Sequence, residues 1–317
     1  MPEDEYVERF GNMTLNYLRS TFERTQNFKT TPQWIIQKYN AGHFRRIKAR
    51  DVPTAIKLKD GGIVGYRVPA HLVMSDLSHV TPLEEWASRY QHKLPRAKDT
   101  SRGVHCVRRY ASWIKYRRNS EVGFSSEYTK DGEISANFIE ASQLLWKRAG
   151  HCFPKHHHLR IIKELNLGST LDDNHRPLCG PWMGCAVNVA VDNKPVETTP
   201  HRDLMGFAEG MSCLCPFGEF RGGGLVLWEL KAVVELRRGD LFFFMDHLIN
   251  HSNEKAYGQR HSVVAFTEHM VWKATERKYG FKDLRAERRK ARRDRRKATA
   301  KKSTGALRKA AKADSRL

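Results

Sequence analysis

From Gly184 to Phe266 the chain is cut by glycine and charge into short apolar runs, and this pattern constrains the fold more than any other feature. Gly184-Cys185-Ala186-Val187-Asn188-Val189-Ala190-Val191 opens the series. Glu219-Phe220-Arg221-Gly222-Gly223-Gly224 leads into Leu225-Val226-Leu227-Trp228-Glu229-Leu230, and Arg238-Gly239-Asp240 leads into Leu241-Phe242-Phe243-Phe244-Met245. Ser262-Val263-Val264-Ala265-Phe266 closes it. Apolar runs of five or six residues bounded by glycine read as short, buried strands. Several of them at close intervals point to a sandwich or jelly roll.

The residues suited to chemistry lie between and beside these strands. They are His201 and Asp203 in Pro200-His201-Arg202-Asp203, His251 in Ile249-Asn250-His251-Ser252-Asn253, and Arg260 in Gly258-Gln259-Arg260-His261-Ser262. Residues i and i+2 of an extended segment point the same way, so His201 and Asp203 can reach one ion while Arg202 points away. A jelly roll brings distant strands face to face, which lets His251 join them. Two imidazoles and a carboxylate can occupy one face of an octahedral metal and leave the opposite face open. That set suits iron(II) better than a structural zinc, which is closed by four ligands and usually includes thiolates. His247 is a rival ligand, four residues before His251 and on the same face of a straight strand. Arg260 offers a planar fork that takes a carboxylate in two parallel hydrogen bonds, and its natural partner is a dicarboxylate. An isolated arginine more ordinarily makes a surface ion pair.

The order His201-x-Asp203, His251, Arg260-x-Ser262 over glycine-punctuated strands resembles the iron(II)/2-oxoglutarate-dependent dioxygenases of the double-stranded β-helix fold. Within them, Pro200-His201-Arg202-Asp203, Gly223-Gly224-Leu225-Val226-Leu227-Trp228-Glu229-Leu230 and His251-Ser252-Asn253 are similar to the fungal branch of the TET/JBP oxygenases, which oxidise methyl groups on pyrimidine bases. The resemblance spans about residues 150–272. It implies that His201, Asp203 and His251 hold iron(II), and it favours His251 over His247 because the family histidine directly precedes the Ser-Asn step. It further implies that Arg260 binds the distal carboxylate of 2-oxoglutarate with help from Ser262, and that Asn188 contacts the end nearest the iron. An asparagine bonding a neighbouring backbone at a strand edge accounts for Asn188 equally well. The implied reaction consumes O2, decarboxylates 2-oxoglutarate to succinate and hydroxylates a prime substrate. The fold expected is α+β. A supporting region at 1–149 carries helices and a small sheet, a double-stranded β-helix core occupies 150–272, and a basic tail runs from 273 to 317.

Charge bears on the substrate. The net charge is +21, and residues 273–317 hold 19 Lys/Arg against 5 Asp/Glu, a net +14 that leaves +7 for the first 272 residues. From Lys282 to Lys302 the tail is almost wholly Lys, Arg, Ala, Asp and Glu, with no apolar stripe to dock on a core, so a solvated or disordered arm is expected. Blocks such as Arg288-Arg289-Lys290-Ala291-Arg292-Arg293 fit nuclear import or contact with a phosphate backbone, making nucleic acid the expected partner; a merely solubilising tail is the blander reading. Smaller basic clusters lie at Arg45-Arg46-Ile47-Lys48-Ala49-Arg50 and at Arg108–Arg118. The second interleaves aromatics as a base-stacking surface would. Burial of Tyr110, Trp113 and Ile114 along one side of an amphipathic helix is the preferred reading.

Elsewhere, residues 1–40 read as partly helical with Tyr17, Leu18 and Phe22 along one face, Gly61–Pro69 as a turn into a strand, and 136–148 as a helix. His156-His157-His158 read as surface, since adjacent histidines diverge. Six scattered cysteines give neither a disulfide framework nor a zinc site and fit a reducing compartment. No apolar run approaches a membrane span, and the acidic Met1-Pro-Glu-Asp-Glu start is unlike a secretory signal, so no membrane partner is expected. The tail favours the nucleus over the cytoplasm. Besides oxidation of a methylated base, two other functions fit the sequence: hydroxylation of a protein or small molecule, and nucleic-acid binding by a relic oxygenase.

Overall fold

A computed structural model describes residues 5–25, 43–94, 105–114, 122–152, 177–191, 195–207 and 210–279. The chain divides into two compact units, Met1–Trp272 and Lys273–Leu317. The triple histidine, the basic residues at 115–118 and residues 280–317 of the tail lie outside the described residues.

The first half of the chain contributes β1 (Tyr6–Phe10), α1 (Leu15–Thr25), β2 (Arg45–Ile47), β3 (Thr54–Leu58), β4 (Ile63–Val68), α2 (Ala70–Val73), α3 (Thr81–Tyr90), β5 (Cys106–Ile114), β6 (Val122–Phe124), α4 (Ser126–Lys130) and α5 (Glu133–Cys152). Then come β7 (Gly184–Val189), β8 (Ser212–Phe217), β9 (Phe220–Gly222), β10 (Leu225–Leu227), β11 (Ala232–Val234), β12 (Leu241–Phe244), β13 (His251–Asn253), β14 (Ala256–Gly258), β15 (His261–Phe266) and α6 (His269–Tyr279). Of the second unit, only residues 273–279, within α6, are described.

Nine strands form the major sheet in the order β1-β3-β4-β12-β8-β15-β7-β5-β6; four form a minor sheet, β13-β10-β11-β2; β14 and β9 make a separate pair. From β7 onward the chain passes from the major sheet to the minor and back, through β8, β10, β11, β12, β13 and β15. That alternation is the winding of a jelly roll, and it makes the fold α+β. Apolar residues of both sheets, among them Leu225, Leu227, Val234, Phe242, Phe243 and Val263, meet in one hydrophobic cluster. Phe242, Phe243 and Val263 are wholly buried. At roughly 1.5–3 kcal/mol for each large apolar side chain removed from water, this shared core is what holds the two sheets together.

The N-terminal strands, expected as a small sheet supporting the core, join the core's own sheets. β4 pairs antiparallel with β12, β3 with β4, and β1 runs parallel to β3, so all three widen the major sheet. β2 joins the minor sheet beside β11. The turn into β4 is made at Gly61, whose φ of +77° lies in the left-handed region.

The helix expected over Arg108–Ile114 is a strand instead. β5 pairs with β7 from Cys106↔Val189 to Ala111↔Gly184, and an added Cβ on Gly184 would fall 2.2 Å from the Ala111 Cβ. Close backbone approach along this pairing outweighs the local helical spacing, a tertiary override of propensity. Tyr110 is buried against Phe138 of α5, with ring centroids 4.9 Å apart, and Arg108 pairs with Asp131 at 2.9 Å. On α1, Leu18 is buried but Tyr17 is exposed, so the two do not share a face.

Candidate metal centre

The minor sheet places the second histidine. Leu227 of β10 lies opposite His251, the first residue of β13. The first histidine is brought to it by main chain: His201 and His251 form an isolated antiparallel bridge. Asp203 is held by its own N–H, which donates to the Asp246 carbonyl at 3.2 Å. Ligand-type atoms of His201, Asp203 and His251 all lie within 4.8 Å of one another, and this is the one such group of three among the described residues. His251 Nε2 stands 4.0 Å from Asp203 Oδ2.

Both rings have one nitrogen tied to backbone. His201 Nδ1 is 2.7 Å from the Thr199 carbonyl and His251 Nδ1 is 3.0 Å from the Ile249 carbonyl. A carbonyl only accepts, so each Nδ1 carries the proton and each Nε2 keeps its lone pair, the tautomer that metal ligation requires. His247 is not in the cluster; it lies with Nδ1 3.9 Å from Asp246 Oδ1 and against the edge of Phe22. Two imidazoles and one carboxylate fit a borderline divalent ion such as iron(II).

Arg260 immediately precedes β15 and is almost wholly buried, with Nη1 donating to the Val196 carbonyl at 3.3 Å. Nε and Nη2 have no hydrogen-bond partner among the described residues. Burial pushes the guanidinium down to about 10, and the carboxylate of Glu197 works in the opposite direction. A buried, still charged fork with open donors costs several kcal/mol unless an anion meets it. It therefore fits a carboxylate ligand. Ser262 and Asn188 stand opposite each other across β15 and β7, and Asn188 Nδ2 donates to Ser262 Oγ at 3.3 Å. The asparagine side chain is thus aligned with the serine rather than with a strand-edge backbone group. Arg260 precedes β15, Ser262 is the second residue of that strand, and Asn188 lies across from Ser262 on β7.

Two carboxylates of this region were not singled out in the sequence. Glu229 is buried, accepts from the Asn250 N–H at 2.8 Å and also from the Asn250 side-chain amide. Burial pushes it up to about 7, with the Asn250 bonds and the charge of Arg202 pulling it down. Asp246 is buried and lies beside Asp203; burial and that neighbouring charge raise it. The available signal was a single carboxylate inside an apolar run, in Val226-Leu227-Trp228-Glu229-Leu230 and in Phe243-Phe244-Met245-Asp246.

No protein-family profile and no curated protein matches the chain. Solved structures do. The chain is similar to NgTET1 in complex with 5mC DNA, at 13% identity, 82% of this chain, 92% of that one and a TM-score of 0.48. It is also similar to an oxidoreductase of the 2OG-Fe(II) oxygenase family from Burkholderia pseudomallei, at 15% identity over 64% and 84% of the two chains, with a TM-score of 0.37. A prolyl-4-hydroxylase from Pseudomonas putida follows at 18% identity, 64% and 90% coverage and 0.36.

Proposed function

We propose that this chain is an iron(II)- and 2-oxoglutarate-dependent oxygenase acting on a methylated pyrimidine base in nucleic acid. One observation carries the chemistry: ligand-type atoms of His201, Asp203 and His251 converge within 4.8 Å, and the same fold buries an arginine, Arg260, with two donors that have no hydrogen-bond partner among the described residues. His201 and His251 would present Nε2 and Asp203 its carboxylate to the ion. Arg260 takes the distal carboxylate of 2-oxoglutarate, the Ser262 hydroxyl adds a donor, and Asn188 orients that hydroxyl. Iron(II) with 2-oxoglutarate and O2 supplies oxidative decarboxylation to succinate coupled to hydroxylation of a C–H bond.

The substrate rests on charge. A base inside a duplex is out of reach and must be extruded while its backbone is held electropositively. Arg46 of β2 is engaged with Glu254 at 2.9 Å and Glu235 at 3.1 Å, Arg45 with Glu8, and Arg237 with Asp51 at 2.8 Å. These surface cations are each paired with a carboxylate, and two thirds of the chain's net positive charge, +14 of +21, lies in the tail. The same tail would direct the protein to the nucleus. The test is O2-dependent succinate release with and without a 5-methylcytosine oligonucleotide. Stimulation by the methylated strand and appearance of an oxidised base support the reading; turnover indifferent to nucleic acid points to a protein or small-molecule substrate.

A further inference from the structure

Arg202 stands between two proposed ligands yet takes no part in the ligand set. It is buried, its guanidinium lies over the ring of Phe22 at 5.3 Å, and the negative charge of Glu229 favours its charged form against burial. On the other side, the Trp228–Glu229 pair grips both neighbours of His251. The Trp228 N–H donates to the Asn250 carbonyl at 2.9 Å, and the Asn250 N–H and side chain donate to the two Glu229 oxygens. Trp228 Nε1 donates to Ser252 Oγ at 3.0 Å. The Glu229 carboxylate thus holds the residue that precedes His251, and its charge favours that of Arg202, which lies between His201 and Asp203 in the chain.

We infer that Glu229 is a positioning residue of the metal centre, clamping the His251 segment by its hydrogen bonds to Asn250. The inference rests on the metal-centre reading above. A carboxylate in a dry core is costly, and packing alone would be served better by an apolar residue of its size. Its two acceptor oxygens are used on one residue, Asn250, whose conformation fixes where the His251 ring points. Outer partners of this kind commonly change metal affinity 10–100-fold.

The experiment is a Co(II) titration of the full chain at pH 8, followed by absorption spectroscopy and a thermal melt. The variants are Glu229→Gln, Asn250→Ala and their double. Asp240→Asn serves as the control, because Arg67 and Asp240 form a buried pair at 2.6 Å that touches no ligand segment. The expected result is a roughly 10–100-fold weaker Co(II) affinity with an altered spectrum in both single variants, losses in the double that overlap rather than add, and unchanged affinity in Asp240→Asn despite its lower melting temperature. Asn250→Ala keeps the main-chain bond and protects the test against a variant that does not fold. Wild-type affinity in Glu229→Gln and Asn250→Ala would overturn the inference and leave the metal centre standing, as would an equal loss in Asp240→Asn. Failure of the wild type to bind Co(II) would remove the metal centre itself and the inference with it.

Discussion

His201 and His251 exchange both of their backbone hydrogen bonds, at 3.0 and 2.8 Å, and their rings stand 4.4 Å apart between centroids. The spacing of the two histidines is therefore set by main chain and not by the packing of their rings. Alanine at either position should abolish divalent-metal binding while shifting stability by no more than about 1 kcal/mol, because the bridge needs no side chain. Metal titration paired with denaturant unfolding checks this. A variant that unfolds would show the rings to be structural.

Gly223 lies against Arg260: an added Cβ would sit 2.7 Å from Cδ and 2.8 Å from Nε, at a φ of +68°. Gly223→Ala should displace the guanidinium and weaken 2-oxoglutarate binding at least tenfold, with metal affinity unchanged. Arg260→Lys should weaken it comparably, since a point charge cannot replace two parallel donors. Calorimetry of 2-oxoglutarate in the presence of Mn(II) reads both.

Glu268 gives the fold a pH dependence. Burial raises its carboxyl to about 7, with Arg109 acting weakly in the opposite sense. A raised carboxyl favours the folded state while it is protonated, so the contribution is complete below the unfolded value near 4.5 and is lost as pH rises through 7. Relative to wild type, Glu268→Gln should be more stable at pH 8 by roughly 2–3 kcal/mol and about equal at pH 4. Urea melts at the two pH values measure the difference.

Nucleic-acid affinity should reside in the tail. If it meets about six phosphates, log affinity falls with log salt at a slope near −5, and removal of residues 280–317 flattens the slope. Arg46→Ala should leave the slope unchanged and cost about 0.5–1 kcal/mol of stability, because its pairs with Glu254 and Glu235 are half-exposed. Fluorescence anisotropy across a salt series checks both.

Strands β7, β10, β12 and β15 were legible because each is short, apolar and bounded by glycine or charge, as at Gly224-Leu225 and Asp240-Leu241, whereas the polar β13, His251-Ser252-Asn253, carries no such signal. The convergence of His201, Asp203 and His251 was legible because their types and order are restrictive even though Asp203 and His251 are far apart in the chain. β5 was not legible, since Tyr110 and Ile114 carry helical spacing and only the pairing with β7 makes them a strand. The pairing of Arg46 with Glu235 and Glu254 was equally hidden, because it joins residues about 190 and 210 positions apart. Glu229 was read as one letter of a motif, and its burial beside Asn250 emerges only once β10 and β13 are paired.

The most direct test of an open-faced metal centre joined to a carboxylate site is anaerobic 2-oxoglutarate binding with and without iron(II), in the wild type and in His201→Ala/Asp203→Ala. Binding that requires iron, is lost in the double variant and is weakened by Arg260→Lys is the predicted result. Binding equally strong without iron, or undisturbed in the double variant, would contradict the account.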